Sequence, residues 1–313
     1  MNPAPTSAAC SRPDPPIPYL RRVREYYLAL GYDTPYEWAQ VADVPLQRLP
    51  RPLASCRVAL VTTAALRGAG KGEQRPGAPY NAQAKFYRVY SGATATDPDL
   101  SIAHVAIDRV HTSGEDPGSF FPLRALREAA AQGRIGALGA RFHGLPTNRS
   151  QRTTTQVDAP ELVQRCLDDA VHAVLLVANC PVCHQCVALA ANQLEARGIA
   201  SVVMGCAKDI VEHIGVPRFL FSDFPLGNGA GRPNDLESQR STLELALRLL
   251  ESATEPRSTV QSPLRWSASD AWKLDYCNVE RLTAQEIAQR RAEFDLAKEQ
   301  ARQLRQSGAH GQQ

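Results

Sequence analysis

The sequence predicts an α/β protein: a mostly parallel sheet with helices on both faces, Rossmann-like and doubly wound, with an added N-terminal helix and a long C-terminal helix. Three observations carry this. Apolar runs of strand length (Arg57–Thr63, His172–Asn179, Ala200–Met204) are separated by segments with helical spacing, the alternation that builds parallel sheets. The middle run, Ala-Val-Leu-Leu-Val-Ala, is continuous rather than alternating, as expected of a strand buried on both faces. It ends abruptly at Cys180-Pro-Val-Cys183-His-Gln-Cys186, and a strand that turns directly into a helix is where α/β proteins hold their ligands.

Taken in order, Met1 to Pro16 is rich in Pro, Ala and Ser without an apolar core segment, so residues 1–16 read as a disordered leader and a cytoplasmic address is expected. Residues 17–255 form the α/β domain and 256–313 a C-terminal extension. Tyr19 to Leu30 has the spacing of a helix packed on that domain. The strand from Arg57 runs into Gly68-Ala-Gly70-Lys71-Gly72, which lacks the Lys-Ser/Thr ending of a phosphate loop and reads as a loop. Ser101 to Asp108 alternates as a strand should, placing His104 and Asp108 on one face as candidate proton donors, with His111 beyond. Phe121–Gln132 and Ala159–Asp169 read as amphipathic helices, Ile135 to Gly144 as strand or loop, Asn148 to Gln156 as exposed and polar. About five strands are expected.

After Ala200–Met204 come a short helix near Asp209 and a strand from Pro217. That strand enters the glycine turn Asp223-Phe-Pro-Leu-Gly227-Asn228-Gly229-Ala-Gly231-Arg232-Pro-Asn-Asp235 before a long helix. Asp223, Gly227, Asn228, Gly229, Gly231 and Arg232 are candidate substrate contacts: backbone N–H groups with an arginine can hold an anion, while a tight turn needing glycine is the bland alternative. The turn lacks Gly-x-Gly-x-x-Gly spacing, so no nucleotide cofactor is expected. Thr283-Ala-Gln-Glu286 is a capping box, and the narrow stripe Ile287, Phe294, Ala297, Ala301, Leu304 suits a homo-oligomer contact through 283–305.

A net charge of +3 excludes a strong nucleic-acid field, and no apolar run is long enough for a membrane span. Eight cysteines without a secretion signal point to redox or metal chemistry rather than structural disulfides. Cys-x-x-Cys-His matches a c-type haem attachment, which requires export. A zinc or iron–sulfur site on Cys180, Cys183 and Cys186 is the metal alternative, but it lacks the further cysteines that such sites pair with. A thiol pair explains more: Pro181 suits the first helical position, so Cys180 sits at the N-cap. There, backbone N–H groups favour its thiolate as nucleophile, and Cys183 lies one turn deeper to resolve it. Cys186 is a second resolver or a core residue.

These blocks resemble the glycine/sarcosine/betaine reductase and D-proline reductase selenoprotein B family. The resemblance rests on Asp169 to Cys186, on Asp116-Pro-Gly-Ser-Phe-Phe-Pro-Leu-Arg, on Gly133-Arg-Ile-Gly136 and on Asp223 to Asp235, in that order, and spans about Arg57 to Arg248. It implies a reductase that cleaves a carbon–heteroatom bond with electrons from a thioredoxin-like dithiol donor, working with a second reductase subunit. By the resemblance Cys180 matches the selenocysteine position, Cys183 the neighbouring cysteine, and 223–235 the family's glycine turn. A cysteine-type relative acting on a different small substrate is the resulting expectation.

Overall fold

The computed structural model describes residues 15–74, 81–102, 104 and 106–306. Most of the expected leader lies outside them. Among the described residues ten strands form: β1 (Arg57–Thr62), β2 (Ala65–Leu66), β3 (Tyr90–Ala93), β4 (Leu100–Ser101), β5 (Ala137–Leu138), β6 (Arg141–Gly144), β7 (Ala173–Val177), β8 (Ala200–Gly205), β9 (Arg218–Phe221) and β10 (Ser258–Gln261). The α-helices are α1 (Tyr19–Ala29), α2 (Leu123–Ala131), α3 (Gln151–Thr153), α4 (Ala159–Asp168), α5 (Pro181–Ala196), α6 (Lys208–Ile214), α7 (Leu236–Ser252) and α8 (Ala284–Gln306).

The main sheet runs β10-β9-β8-β7-β1-β6-β3, with β5 pairing the first residues of β1. Every pair is parallel except β3 with β6. The mostly parallel α/β expectation therefore holds, in a sheet of eight strands rather than about five. The additions are short: β5 and β6 are one strand interrupted at Gly139, and β10 (Ser-Thr-Val-Gln) is an edge strand. All residues of β7, β8 and β9 are buried, which requires both sheet faces to be covered. One group of helices, α4, α5 and α6, packs together, with α5 on β7 and β8. Another, α7 with α2, packs on β8 and β9.

The expected strand 101–108 does not form. Chain pairing stops at Ser101, where β4 meets β2 in a separate two-stranded ribbon, and residues 103 and 105 lie outside the described set. His104 N–H turns back onto the Ile102 carbonyl (2.6 Å), and Asp108 opens a turn instead. Apolar alternation here reflects two anchors, Ile102 and Ile107, buried from a loop.

The capping box opens α8 reciprocally: Glu286 N–H donates to Thr283 Oγ1 (3.2 Å) and Thr283 N–H to Glu286 Oε2 (2.8 Å). Within its stripe, Phe294 is spent on this chain, edge-on to Tyr27 and Tyr32. No helix among the described residues is long and apolar enough to cross a membrane.

The inner end of α5 is tied down by a buried ion pair. Arg218 Nη1 donates to Glu195 Oε1 (2.8 Å), both side chains being 0 % exposed. The same carboxylate accepts from Ser201 N–H (2.6 Å), Ser201 Oγ (2.8 Å) and Gln47 N–H, while Arg218 Nη2 donates to the Gln47 carbonyl (2.8 Å).

Candidate active site

The carboxyl ends of β1, β6 and β7 lie side by side, and the loops leaving them supply Thr63, Thr147 and Cys180. Cys180 is the N-cap of α5, with Pro181 first in the helix; its backbone is extended and its sulfur accepts from Cys183 N–H (3.3 Å). The sulfurs of Cys180 and Cys183 are 2.6 Å apart. Cys183 also meets Thr147 Oγ1 (3.1 Å), which in turn meets His104 Nε2 (3.3 Å). Nδ1 of His104 is buried without a partner among the described residues.

The pair divides one negative charge unequally. Burial would raise the Cys183 thiol, but the Cys180 S–H, the adjacent His104 and the Thr147 hydroxyl outweigh it and hold Cys183 well below the usual thiol range. Burial, and then the neighbouring Cys183 sulfur, pushes Cys180 well above that range. The sequence expectation placed the resting thiolate on Cys180. Beyond the helix N-terminus, Thr147 Oγ1 and the neighbouring His104 converge on the deeper sulfur, and these donors favour a thiolate at Cys183.

Access, however, belongs to Cys180. It is 4 % exposed and lines a cavity of about 1310 Å³, whereas Cys183 and Cys186 are fully buried. His104, Thr147, Arg149 and Val182 line the same cavity, as do residues from α1, from 32–38 and from α8. Five cationic side chains, Arg21, Arg24, Lys85, Arg149 and Lys298, and one carboxylate, Glu37, line it, so the lining is cationic.

Cys186 is not in the cluster. Its sulfur accepts from Asn148 N–H (3.2 Å) and meets the Asn148 carbonyl (3.4 Å), and burial raises its thiol to about 12. The three-thiol metal alternative therefore does not assemble: the metal-capable group among the described residues is His104, Cys180 and Cys183, with donor atoms within 4.8 Å of one another. His184, the last residue of the haem-like Cys-x-x-Cys-His motif, is a buried stitch. Its Nδ1 meets the Cys180 carbonyl (2.7 Å) and so carries the proton; its Nε2 accepts from Cys206 N–H (2.9 Å) and Ala207 N–H (3.1 Å). Burial lowers its pKa to about 4, keeping it neutral.

Asp108 does not join His104. Its Oδ1 accepts from Val110 N–H and His111 N–H (3.1 and 3.0 Å), closing a turn, while His111 pairs with Asp275 (2.8 Å). The glycine turn is also packed elsewhere. Asp223 pairs with buried Lys273 (2.6 Å), Asn228 donates to Thr112 Oγ1 (2.7 Å), and Arg232 pairs with Asp235 (3.0 Å). A Cβ on Gly229 would come 3.1 Å from Cα of Gly205, and Gly231 has φ +135° with a Cβ site 2.8 Å from Cα of Gln239. Gly227, with φ +109°, would likewise meet Thr112 at 2.8 Å. These glycines let the turn press against the ends of the sheet and α7, and none of the six candidate contacts lines the cavity.

The residues that sequence reasoning missed are Thr147, Arg149, Tyr36 and Trp38. Thr147 and Arg149 lie in and beside a block read as merely exposed; their signal was position, directly after a strand.

The profile of the glycine/sarcosine/betaine reductase selenoprotein B family matches residues 29–179, ending one residue before Cys180. The chain is 26 % identical over 220 residues to the D-proline reductase subunit gamma of Acetoanaerobium sticklandii, covering 70 % of this chain and 88 % of that protein. It is 25 % identical over 217 residues to the glycine reductase complex component B subunit gamma of Carboxydothermus hydrogenoformans (68 % of this chain, 49 % of that one). It is 22 % identical over 244 residues to the sarcosine reductase complex component B subunit beta of Peptoclostridium acidaminophilum (74 % and 53 %). The chain thus spans most of the first relative and about half the length of the other two. No solved structure matches it significantly. The chain is thus similar to the selenoprotein B family over residues 29–179, and to subunits of D-proline, glycine and sarcosine reductases over about 70 % of its length.

Proposed function

We propose that the protein is a thiol-dependent reductase that cleaves a carbon–heteroatom bond in a small, anionic, amino-acid-like substrate, with Cys180 as nucleophile and Cys183 as resolving thiol. One observation carries the reading: a cavity-lining sulfur lies 2.6 Å from a second, more acidic sulfur, beneath a cationic opening. D-proline, glycine and sarcosine, named for the relatives' complexes, are the first substrates to try.

The chemistry balances within the pair. The Cys180 proton passes to the Cys183 thiolate as the Cys180 sulfur attacks the substrate carbon; a sulfur–carbon bond forms and the heteroatom leaves with the bonding electrons. Cys183, its proton taken up by His104, then attacks the Cys180 sulfur. The disulfide forms, the sulfur–carbon bond breaks, and its electron pair goes to carbon, which takes the proton from His104. The carbon gains two electrons and the thiols lose two; a dithiol donor of the thioredoxin class restores them. His104 is the proton carrier in this scheme and Asp108 has no part in it. A second reductase subunit that presents the substrate is consistent with relatives that are subunits of complexes.

Cys180→Ser is expected to abolish dithiol-driven turnover. Cys183→Ser should halt after the first step, leaving a covalent adduct on Cys180 that mass spectrometry detects. Full activity in the Cys180 variant would remove the mechanism. The donor set His104, Cys180 and Cys183 supports a second reading, a soft-metal site, for which stoichiometric zinc or iron in freshly purified protein is the decisive result.

A further inference from the structure

We propose that Arg149 is the receptor for the substrate's carboxylate, holding it so that the carbon beside it faces Cys180. This rests on the thiol-reductase reading and names the group that selects its substrate.

The sequence offered Arg232 for this task, but that guanidinium is engaged by Asp235 and the Arg265 carbonyl away from the cavity. Arg149 lines the cavity together with Cys180 and lies two residues beyond Thr147, whose hydroxyl touches Cys183. No carboxylate among the described residues pairs with it. Its guanidinium instead sits against two aromatic rings, 5.2 Å from the Tyr27 centroid and 5.9 Å from Phe294. Ring contacts of that kind orient a guanidinium and leave its N–H edge for a planar anion.

The backbone beneath it is fixed to the cysteine helix itself. Tyr36 O–H donates to the Arg149 carbonyl (3.0 Å), and Gln185 Nε2, from α5, donates to the Tyr36 oxygen (2.5 Å). Gln185 follows Cys183 by two residues, so the anion receptor and the sulfur pair are held in register by a single helix. The other cations of the cavity approach from α1, from the 85–86 segment and from α8.

The test uses paired alkylating reagents on the reduced full-length protein. Iodoacetate carries a carboxylate beside the reacting carbon and iodoacetamide is its neutral counterpart; in both the sulfur–carbon bond forms as iodide leaves. Rates at Cys180, located by mass spectrometry, are divided by those of a small free thiol. The wild type should favour iodoacetate with saturating kinetics. Arg149→Gln should lose that preference by roughly tenfold or more, the scale of a charge-assisted double hydrogen bond, while its iodoacetamide rate stays within about twofold. Arg149→Lys should recover part of it, and Lys298→Gln should change it much less. An unmoved preference in Arg149→Gln, or an equal fall in Lys298→Gln, overturns the assignment while leaving the thiol reading intact. Failure of both reagents to modify Cys180 sinks the thiol reading and this assignment together.

Discussion

Arg218→Met tests how the cysteine helix is anchored. The methionine fills a similar volume but removes the cation from a pair that is completely buried. Glu195 keeps its bonds from Ser201 and Gln47 and loses the one positive charge bonded to it among the described residues, while the Gln47 carbonyl loses the Arg218 donor. Breaking one side of a buried pair costs about 3–5 kcal/mol. For a chain of this size, with about 2 °C of melting shift per kcal/mol, a fall of about 6–10 °C is expected. The pH dependence fixes the cause. Burial already raises the Glu195 pKa above its unfolded value, with Arg218 opposing it, so removing Arg218 raises it further. A raised carboxylate destabilises the fold when charged and ceases to do so as it protonates. The deficit should therefore be large near about pH 8 and shrink as pH falls toward the carboxylate range of about 4–5. Replacing both partners, Glu195→Leu with Arg218→Met, should recover most of the loss. Thermal and urea melts read all three. A loss below about 1 kcal/mol, or one independent of pH, would refute the claim that this pair is sealed from water.

Two further outcomes follow from the site. The ultraviolet absorbance of thiolate should persist well below the ordinary thiol value of about 8.5 and vanish in Cys183→Ser; two thiolates from the pair at neutral pH would contradict the shared charge. Gly231→Ala, at φ +135° and 2.8 Å from Cα of Gln239, should destabilise the fold by about 1–3 kcal/mol without changing the iodoacetate preference at Cys180; a lost preference in a stably folded variant would return the glycine turn to the binding site.

The parts of this molecule that could be read from sequence are those where one local force dominates. β7 runs straight into Cys180 because every residue is apolar, and Pro181 marks the helix start, so strand, N-cap and sulfur pair follow from a dozen residues. The capping box at Thr283 is equally local. β5 falls within a stretch legible only as strand or loop, and β10 was illegible because Ser-Thr-Val-Gln carries no pattern of its own; each is a strand through its pairing with β1 or β9. The stretch 101–108 shows the opposite error: it alternates, yet among its described residues only Ser101 lies in a strand. The glycine turn looked like an anion site because its composition suits one, yet its glycines answer to Gly205, Thr112 and Gln239, neighbours that only the tertiary structure supplies. His104 was selected for a strand geometry that is not seen, yet it lies beside both the sulfurs and Thr147. Arg149 had no sequence signature, since its value comes from Tyr27, Tyr36 and Phe294, residues more than a hundred positions away.

That last arrangement separates two properties usually built together. The sulfurs and their proton partners rest on the sheet, but the chamber above them is walled by stretches near both ends of the described chain, at 20–38 and 294–298. On the proposed reading, the reacting sulfurs belong to the interior layer, and selection of the substrate to an outer shell of aromatic and basic side chains. If the sulfurs react as proposed, substitutions confined to that shell would change which molecule is admitted without touching the reacting atoms.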